Sequence, residues 1–209
     1  MVCKGDTTPE PTLRVRGFEI YKGVLDASAQ AVMISDLREV MRLAPPFSPD
    51  TPYGKPMSVR MTSAGEYGWY SDATGYRYEN RHPLGTKWPP IPESALKVWQ
   101  QVAGVARAPE SCLINFYGEG AKMGMHRDTD EADMHWPVVS ISLGDDGLFR
   151  MGGEQRKGTT DTLWLNSGDV VVIGGAARKA YHGVDRIRFG SCGLLPRGGR
   201  VNVTLRVVT

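Results

Sequence analysis

His126 and Asp128 stand two residues apart in the segment MGMHRDTD, and in an extended chain that spacing turns both side chains to the same side. A second histidine, His182, follows a strongly apolar stretch and the turn GGAARKAYHG. Two imidazoles and one carboxylate can hold Fe(II) on one face of an octahedron, leaving the other positions for a cosubstrate and O2. The same three residues are also an acceptable zinc set. In either case the site is open and suited to catalysis. By itself, a His-x-Asp pair with a distant His is a weak signal in a chain that holds four histidines.

The last β-rich segment, RVNVTLRVV, strengthens the reading. Strict alternation puts Val201, Val203, Leu205 and Val207 on one face and Arg200, Asn202, Thr204 and Arg206 on the other. Two like charges on one strand face gain from an anion beside them, and the arginine fork matches a carboxylate at two points. The segment CLINFY adds Asn115 and Tyr117, again on a common face, as neutral hydrogen-bonding groups. A dicarboxylate with one end on a metal and the other on an arginine accounts for all of these residues. The bland account of Asn115 and Tyr117 is the wet side of an edge strand.

Strands and helices have to hold these groups in place. From Cys112 onward the chain runs through CLINFY, PVVSISLG, GLFRMGG, TLWL, DVVVIGG and RVNVTLRVV, short β-rich segments separated by glycine or charged turns. Many short strands close together predict a sandwich or barrel of the jelly-roll type. Two helices are expected outside it. Val32, Leu37, Val40 and Met41 follow an Asp26 cap and are closed by Pro45; Leu96, Trp99, Val102, Ala103 and Ala106 are closed by Pro109. Between them, residues 45–92 are rich in proline, glycine and aromatics, with extended stretches at Met57–Met61 and Tyr76–Tyr78, and are expected to form a lid of hairpins and loops. The class is α+β, mainly β.

The motifs N-x-Y (Asn115, Tyr117), H-x-D-x-D-E (His126, Asp128, Asp130, Glu131), the later His182 and R-x-N-x-T-x-R (Arg200 to Arg206) occur in the order seen in the AlkB family of alkylated-base repair dioxygenases. The resemblance extends from about Met57 to the C-terminus and is greatest to the bacterial branch. It implies a double-stranded β-helix (cupin-like) core with flanking helices and an N-terminal nucleotide-recognition lid. It implies Fe(II) on His126, Asp128 and His182, and 2-oxoglutarate gripped by Arg200 and Arg206 with help from Asn115, Tyr117 and Asn202. O2 is the co-reactant. The implied reaction converts 2-oxoglutarate to succinate and CO2 and removes the methyl group of 1-methyladenine or 3-methylcytosine as formaldehyde. Trp69 resembles the aromatic that stacks on the flipped-out base, and Tyr76 a phosphate contact. Asp130 resembles the acid at the base's polar edge, and Arg156 a basic contact to the strand. The chain departs from the family at MGMH, and His135 with Trp136 forms an aromatic insertion to which no role attaches; His135 and His82 are expected to be surface or loop histidines.

Bulk properties narrow the field without deciding it. The 209 residues predict one domain, which the resemblance makes a single dioxygenase domain, with residues 1–12 as a loose arm, about 45–92 as the lid and about 110–209 as the catalytic β-core. No apolar run is long enough for a membrane helix, and the polar start lacks the apolar core of a secretory signal, so the cytoplasm is the expected compartment; a monomer is expected there. Cys3, Cys112 and Cys192 are odd in number and widely spaced, against a disulfide framework. A formal charge of +2 identifies no partner by itself, although Arg156, Lys157, Arg178, Lys179, Arg186, Arg188, Arg197 and Arg200 form a basic-rich last third. The partner implied by the resemblance is methylated DNA, single-stranded or with the base flipped out, or RNA. Two rivals remain: an oxygenase of the same chemistry acting on a protein side chain or small molecule, and a non-catalytic β-barrel that binds nucleic acid or metal.

Overall fold

The computed structural model describes residues 8–51 and 54–209. Residues 1–7 of the expected arm, and Cys3 with them, lie outside the described residues. The first helix, α1 (Ala27–Leu43), starts where Asp26 accepts a hydrogen bond from the Ala29 N–H at 2.8 Å, satisfying a donor that the first turn leaves free. It buries Met33, Ile34, Leu37 and Val40. Val32, read from sequence as part of the apolar face, is 54% exposed because the buried stripe runs through the next residue. The second helix, α2 (Glu93–Val102), buries Ala95, Val98, Trp99 and Val102. It stops well before Pro109, since Gly104 takes a left-handed φ of 67°, a backbone turn that costs glycine least.

Thirteen strands are present among the described residues. β1 (Leu13–Val15), β2 (Phe18–Tyr21), β3 (Val59–Gly65), β6 (Ser111–Tyr117), β8 (Val138–Gly144), β11 (Val170–Ile173) and β13 (Arg200–Arg206) form one sheet, ordered β1-β2-β11-β8-β13-β6-β3. β7 (Met123–His126), β9 (Asp146–Met151), β10 (Asp161–Leu165) and β12 (His182–Arg188) form a second, ordered β10-β9-β12-β7. β4 (Gly68–Asp72) and β5 (Gly75–Glu79) make a hairpin of their own. All pairings are antiparallel. This is the mainly β, double-stranded β-helix architecture expected from sequence.

Two apolar clusters fix the layering. Leu37, Val98 and Trp99 of the helices pack with Ile114, Ile141, Val203 and Leu205 on the outer face of the larger sheet. Phe18, Phe149, Met151, Val171 and Val184 fill the space between the sheets. Strand β13 is therefore covered on both faces: its valines and leucine face the helices, and its polar residues face the gap between the sheets. The stretch 45–92 is not one unit. β3 joins the larger sheet, paired with β6 from Val59↔Tyr117 to Gly65↔Ser111, because Val59 and Met61 supply an alternating apolar edge; only the β4–β5 hairpin stands apart.

Cys112 lies on β6, fully buried, and that burial pushes its thiol up to about 12, whereas Cys192 is partly exposed. At pH 8 the thiolate fraction is then about a thousandfold below that of an ordinary thiol, and only the thiolate reacts. Iodoacetamide is expected to label Cys192 of the native protein within minutes and Cys112 only after denaturation, as read by peptide mass. Labelling of both at the same rate would contradict the buried placement.

Candidate active site

In the smaller sheet β7 and β12 are neighbours, and His126 lies directly opposite His182. That register joins two histidines distant in sequence, and the chain beyond β7 then carries Asp128 to them. One ligand atom from each of His126, Asp128 and His182 lies within 4.8 Å of the others. His126 Nε2 is 3.9 Å from Asp128 Oδ1, and His182 Nε2 is 3.7 Å from Asp128 Oδ2.

The other ring nitrogens explain why both Nε2 atoms are free. His126 Nδ1 is 2.9 Å from the Gly124 carbonyl and His182 Nδ1 is 3.2 Å from the Ala180 carbonyl. With the proton held at Nδ1, each ring turns an Nε2 lone pair toward Asp128, the arrangement in which imidazole ligates a metal. Asp128 Oδ2 is buried and has no hydrogen-bond partner. Burial alone would raise the Asp128 carboxyl, but Arg206 and the two histidines outweigh it and hold the group well below the usual carboxylate range. These donors fit a divalent metal.

Burial, followed by the neighbouring His126, lowers His182 to about 4. It is therefore neutral and ready to ligate near pH 7. The sign for stability follows: between about 6.5 and about 4 the unfolded chain takes up a proton at this position and the folded chain does not, so acid favours unfolding. The unfolding free energy of the metal-free protein is expected to fall as pH drops through that window, with a smaller fall in His182→Gln. Equal slopes for the two proteins in urea titrations at pH 7 and pH 5 would rule this out.

The anion end lies on β13. Arg200 is 2% exposed, donates one hydrogen bond to Ser142 Oγ at 2.9 Å, and leaves Nε and Nη1 without an acceptor. Asn115 and Tyr117 face Asn202 and Arg200 across the β6–β13 pairing. Burial pushes the Tyr117 phenol up to about 12, so it stays a donor. Arg206 lies 3.0 Å from Asp128 Oδ1 and 3.2 Å from Glu131 Oε1, yet its Nε and Nη1 also lack hydrogen-bond acceptors. Two buried guanidiniums with free N–H groups fit a dicarboxylate. Asn202 lines the cavity beside them; its amide nitrogen donates to Ser140 Oγ and the Ile141 carbonyl, and its oxygen accepts from Thr204.

A cavity of about 600 Å³ between the sheets joins the two ends, and its wall includes all twelve residues singled out from sequence, Trp69, Tyr76, Asp130 and Arg156 among them. Trp69 stacks on Tyr76 with ring centroids 5.3 Å apart, and its indole N–H donates to Asp130 Oδ2 at 2.8 Å. Desolvation raises the Asp130 carboxyl, although the residue is exposed at the cavity mouth. The basic-rich last third is not one patch. Arg178 and Arg200 are buried, and Arg186 and Arg188 stack over Trp164. His135 is exposed beside Trp136; His82 lies in a loop, one of the two placements expected, but is buried there at 3% exposure and bonded to the Pro45 carbonyl.

Sequence reasoning gave no role to Glu131, Arg178 and Tyr78. Glu131 accepts from Tyr78 Oη at 2.5 Å and from Arg178 Nη2 at 2.9 Å, and Arg178 also donates to the Asp128 and Trp136 carbonyls. Glu131 was visible only as the last letter of H-x-D-x-D-E.

Comparison with known proteins agrees with this geometry. The profile of the 2OG-Fe(II) oxygenase superfamily matches residues 17–206. The chain is 50% identical over 198 residues, 94% of its length and 90% of the relative's, to an alpha-ketoglutarate-dependent dioxygenase AlkB homolog of Caulobacter vibrioides. It is 39% identical over 168 residues to the alpha-ketoglutarate-dependent dioxygenase AlkB of Escherichia coli, covering 78% of each. A solved structure named "The structure of OsALKBH1" superposes with a TM-score of 0.78 at 28% identity, covering 93% of this chain and 100% of that one.

Proposed function

Since the chain belongs to the 2OG-Fe(II) oxygenase superfamily and, within it, to the AlkB homologues, we propose that it is an Fe(II)/2-oxoglutarate-dependent dioxygenase that demethylates N-alkylated bases in DNA or RNA. The observation that carries this reading is one cavity holding a three-ligand metal set and a buried arginine without a counter-ion. His126, Asp128 and His182 would hold the iron. Arg200 and Arg206 would take the two carboxylates of 2-oxoglutarate, with Tyr117 donating a neutral hydrogen bond beside Arg200. When bound, the iron supplies the oxidising chemistry that couples decarboxylation of 2-oxoglutarate to hydroxylation of the methyl carbon by O2. The hydroxymethyl group then leaves the ring nitrogen as formaldehyde, and the base regains its normal form.

The residues of the chain supply selection and placement. A base inside a duplex cannot reach a buried metal, so the substrate is single-stranded or has its nucleotide flipped out. Trp69 and Tyr76 offer an aromatic platform on the β4–β5 hairpin, which serves as the nucleotide-recognition lid, while Arg156 at the cavity rim offers a cation to the strand. Alkylation at the ring nitrogen leaves 1-methyladenine and 3-methylcytosine positively charged, and the Asp130 carboxylate and the indole face both favour a cation. The single domain acts as a monomer in the cytoplasm; among the described residues no helix is long and apolar enough to cross a membrane.

The test uses Fe(II)-loaded protein with 2-oxoglutarate and single-stranded oligonucleotides carrying 1-methyladenine or 3-methylcytosine, followed by mass. Loss of one methyl mass that disappears in His126→Ala is the expected result. Succinate formed beside an unchanged oligonucleotide would move the enzyme to another substrate class, and no succinate from folded, iron-loaded protein would leave a binding module.

A further inference from the structure

The β4–β5 hairpin has no backbone pairing with either sheet, yet one of its side chains reaches the buried ion network beneath it. Tyr78 stands opposite Trp69 in the hairpin register, two residues from Tyr76, so the three rings share a face. Its hydroxyl donates to Glu131 Oε1 at 2.5 Å. That same oxygen lies 3.2 Å from Arg206 Nε, and Glu131 Oε2 is held by Arg178 at 2.9 Å. The Glu131 side chain is 1% exposed and Arg206 7%, so water does not stand in for a missing partner.

The consequence is geometric. Tyr78 and Arg206 share one carboxylate oxygen, and the direction in which Glu131 presents its lone pairs depends on where the tyrosine hydroxyl sits. Arg206 lines the cavity, and its Nη1 has no hydrogen-bond acceptor. A shift of the hairpin that carries Trp69 and Tyr76 therefore reaches Arg206 through one hydrogen bond, Tyr78 to Glu131, and one ion-pair contact, Glu131 to Arg206.

We propose that Tyr78 is a positioning residue: its hydroxyl aligns Glu131, and through it Arg206, so that nucleic acid seated on the β4–β5 hairpin tightens the hold on 2-oxoglutarate. The inference rests on the dioxygenase reading above and adds to it a coupling between the two ligands. Coupling of this kind is reciprocal and amounts to about 5- to 150-fold in affinity.

The experiment measures the Kd of 2-oxoglutarate for the Mn(II)-loaded protein by calorimetry, with and without a saturating single-stranded oligonucleotide carrying 1-methyladenine. Binding of the oligonucleotide is measured separately in each protein. The parent is expected to bind 2-oxoglutarate at least about fivefold more tightly when the oligonucleotide is present. In Tyr78→Phe, which keeps the ring and loses only the hydroxyl, that ratio is expected to fall below about twofold, whereas a purely structural role would leave it unchanged. An undiminished ratio in Tyr78→Phe overturns the proposal. An oligonucleotide that binds the parent without changing its affinity for 2-oxoglutarate overturns the coupling and leaves the demethylase reading standing; one that does not bind at all overturns the coupling and the nucleic-acid substrate together.

Discussion

Arg200→Met is expected to weaken 2-oxoglutarate binding by about 30- to 4000-fold while raising the melting temperature of the ligand-free protein. The two effects have one cause. Arg200 is buried to 2% exposure with a single neutral partner, Ser142, and no carboxylate lies within ion-pair distance among the described residues. A buried cation without a counter-ion costs several kcal/mol, and methionine of similar length relieves that cost in the empty protein. With the dicarboxylate bound, the same arginine gains its anion, and truncating one partner of such a buried pair costs about 2–5 kcal/mol, which gives the range of affinities above. Calorimetry on the Mn(II)-loaded protein and thermal melts without ligand read the two effects separately. Gly147 provides an independent check: a Cβ placed there would come within 2.8 Å of Arg200 Nε and 3.1 Å of Cζ, so Gly147→Ala should displace the fork and weaken the cosubstrate in the same direction. A methionine variant that binds 2-oxoglutarate like the parent would remove Arg200 from the clamp.

The clamp was readable from sequence because β13 keeps strict alternation over seven residues, with charge on one face and branched apolar side chains on the other. Both faces turn out to be buried, so the alternation marks the boundary between a helix-packed core and a cavity. Neither face meets solvent. The metal ligands were readable by type and spacing. The strands that bring them together were less so: MGMH and HGVDRIR carry glycines and weak alternation, and the pairing of His126 with His182 is a register between distant segments, which no local pattern encodes. β3 was assigned to the lid for the same reason, since its partner β6 lies far along the chain and its surroundings are rich in proline.

The ion network under the site is the part that sequence hides most completely. Arg178 stands in a basic-rich stretch where solvation is the ordinary expectation, and Glu131 stands in an acidic turn; nothing local says that they bury each other. The network also shows why the site can be both charged and dry. Asp128 and Glu131 are matched by Arg206 and Arg178, so the buried charges are balanced two against two before any ligand binds. Arg200 is outside that balance, and its isolation is what marks the place of an incoming anion.

Glu131→Gln is accordingly expected to destabilise the metal-free protein by about 3–5 kcal/mol, because it leaves Arg178, whose side chain is 3% exposed, as a buried cation held only by carbonyl groups. For a protein of this size that corresponds to a fall in melting temperature of about 6–20 °C. The amide oxygen of glutamine still accepts from Tyr78 while its NH2 faces Arg178, so the shape is kept and the charge and the hydrogen bond to Arg178 are lost together. Urea denaturation of the parent and variant measures it, and the double substitution Glu131→Gln with Arg178→Met should cost less than the sum of the two single changes, since the second change removes the cation stranded by the first. A cost under about 1 kcal/mol would show that water or local rearrangement rescues Arg178. The iron site should feel the change as well. Arg178 donates to the main-chain carbonyl of Asp128, and loosening a group that orients a metal ligand typically lowers metal affinity about 10- to 100-fold. Stability and metal affinity are therefore expected to fall together in Glu131→Gln, whereas in Arg200→Met stability rises as cosubstrate affinity falls. That opposition separates the charges that hold the site together from the one reserved for its ligand.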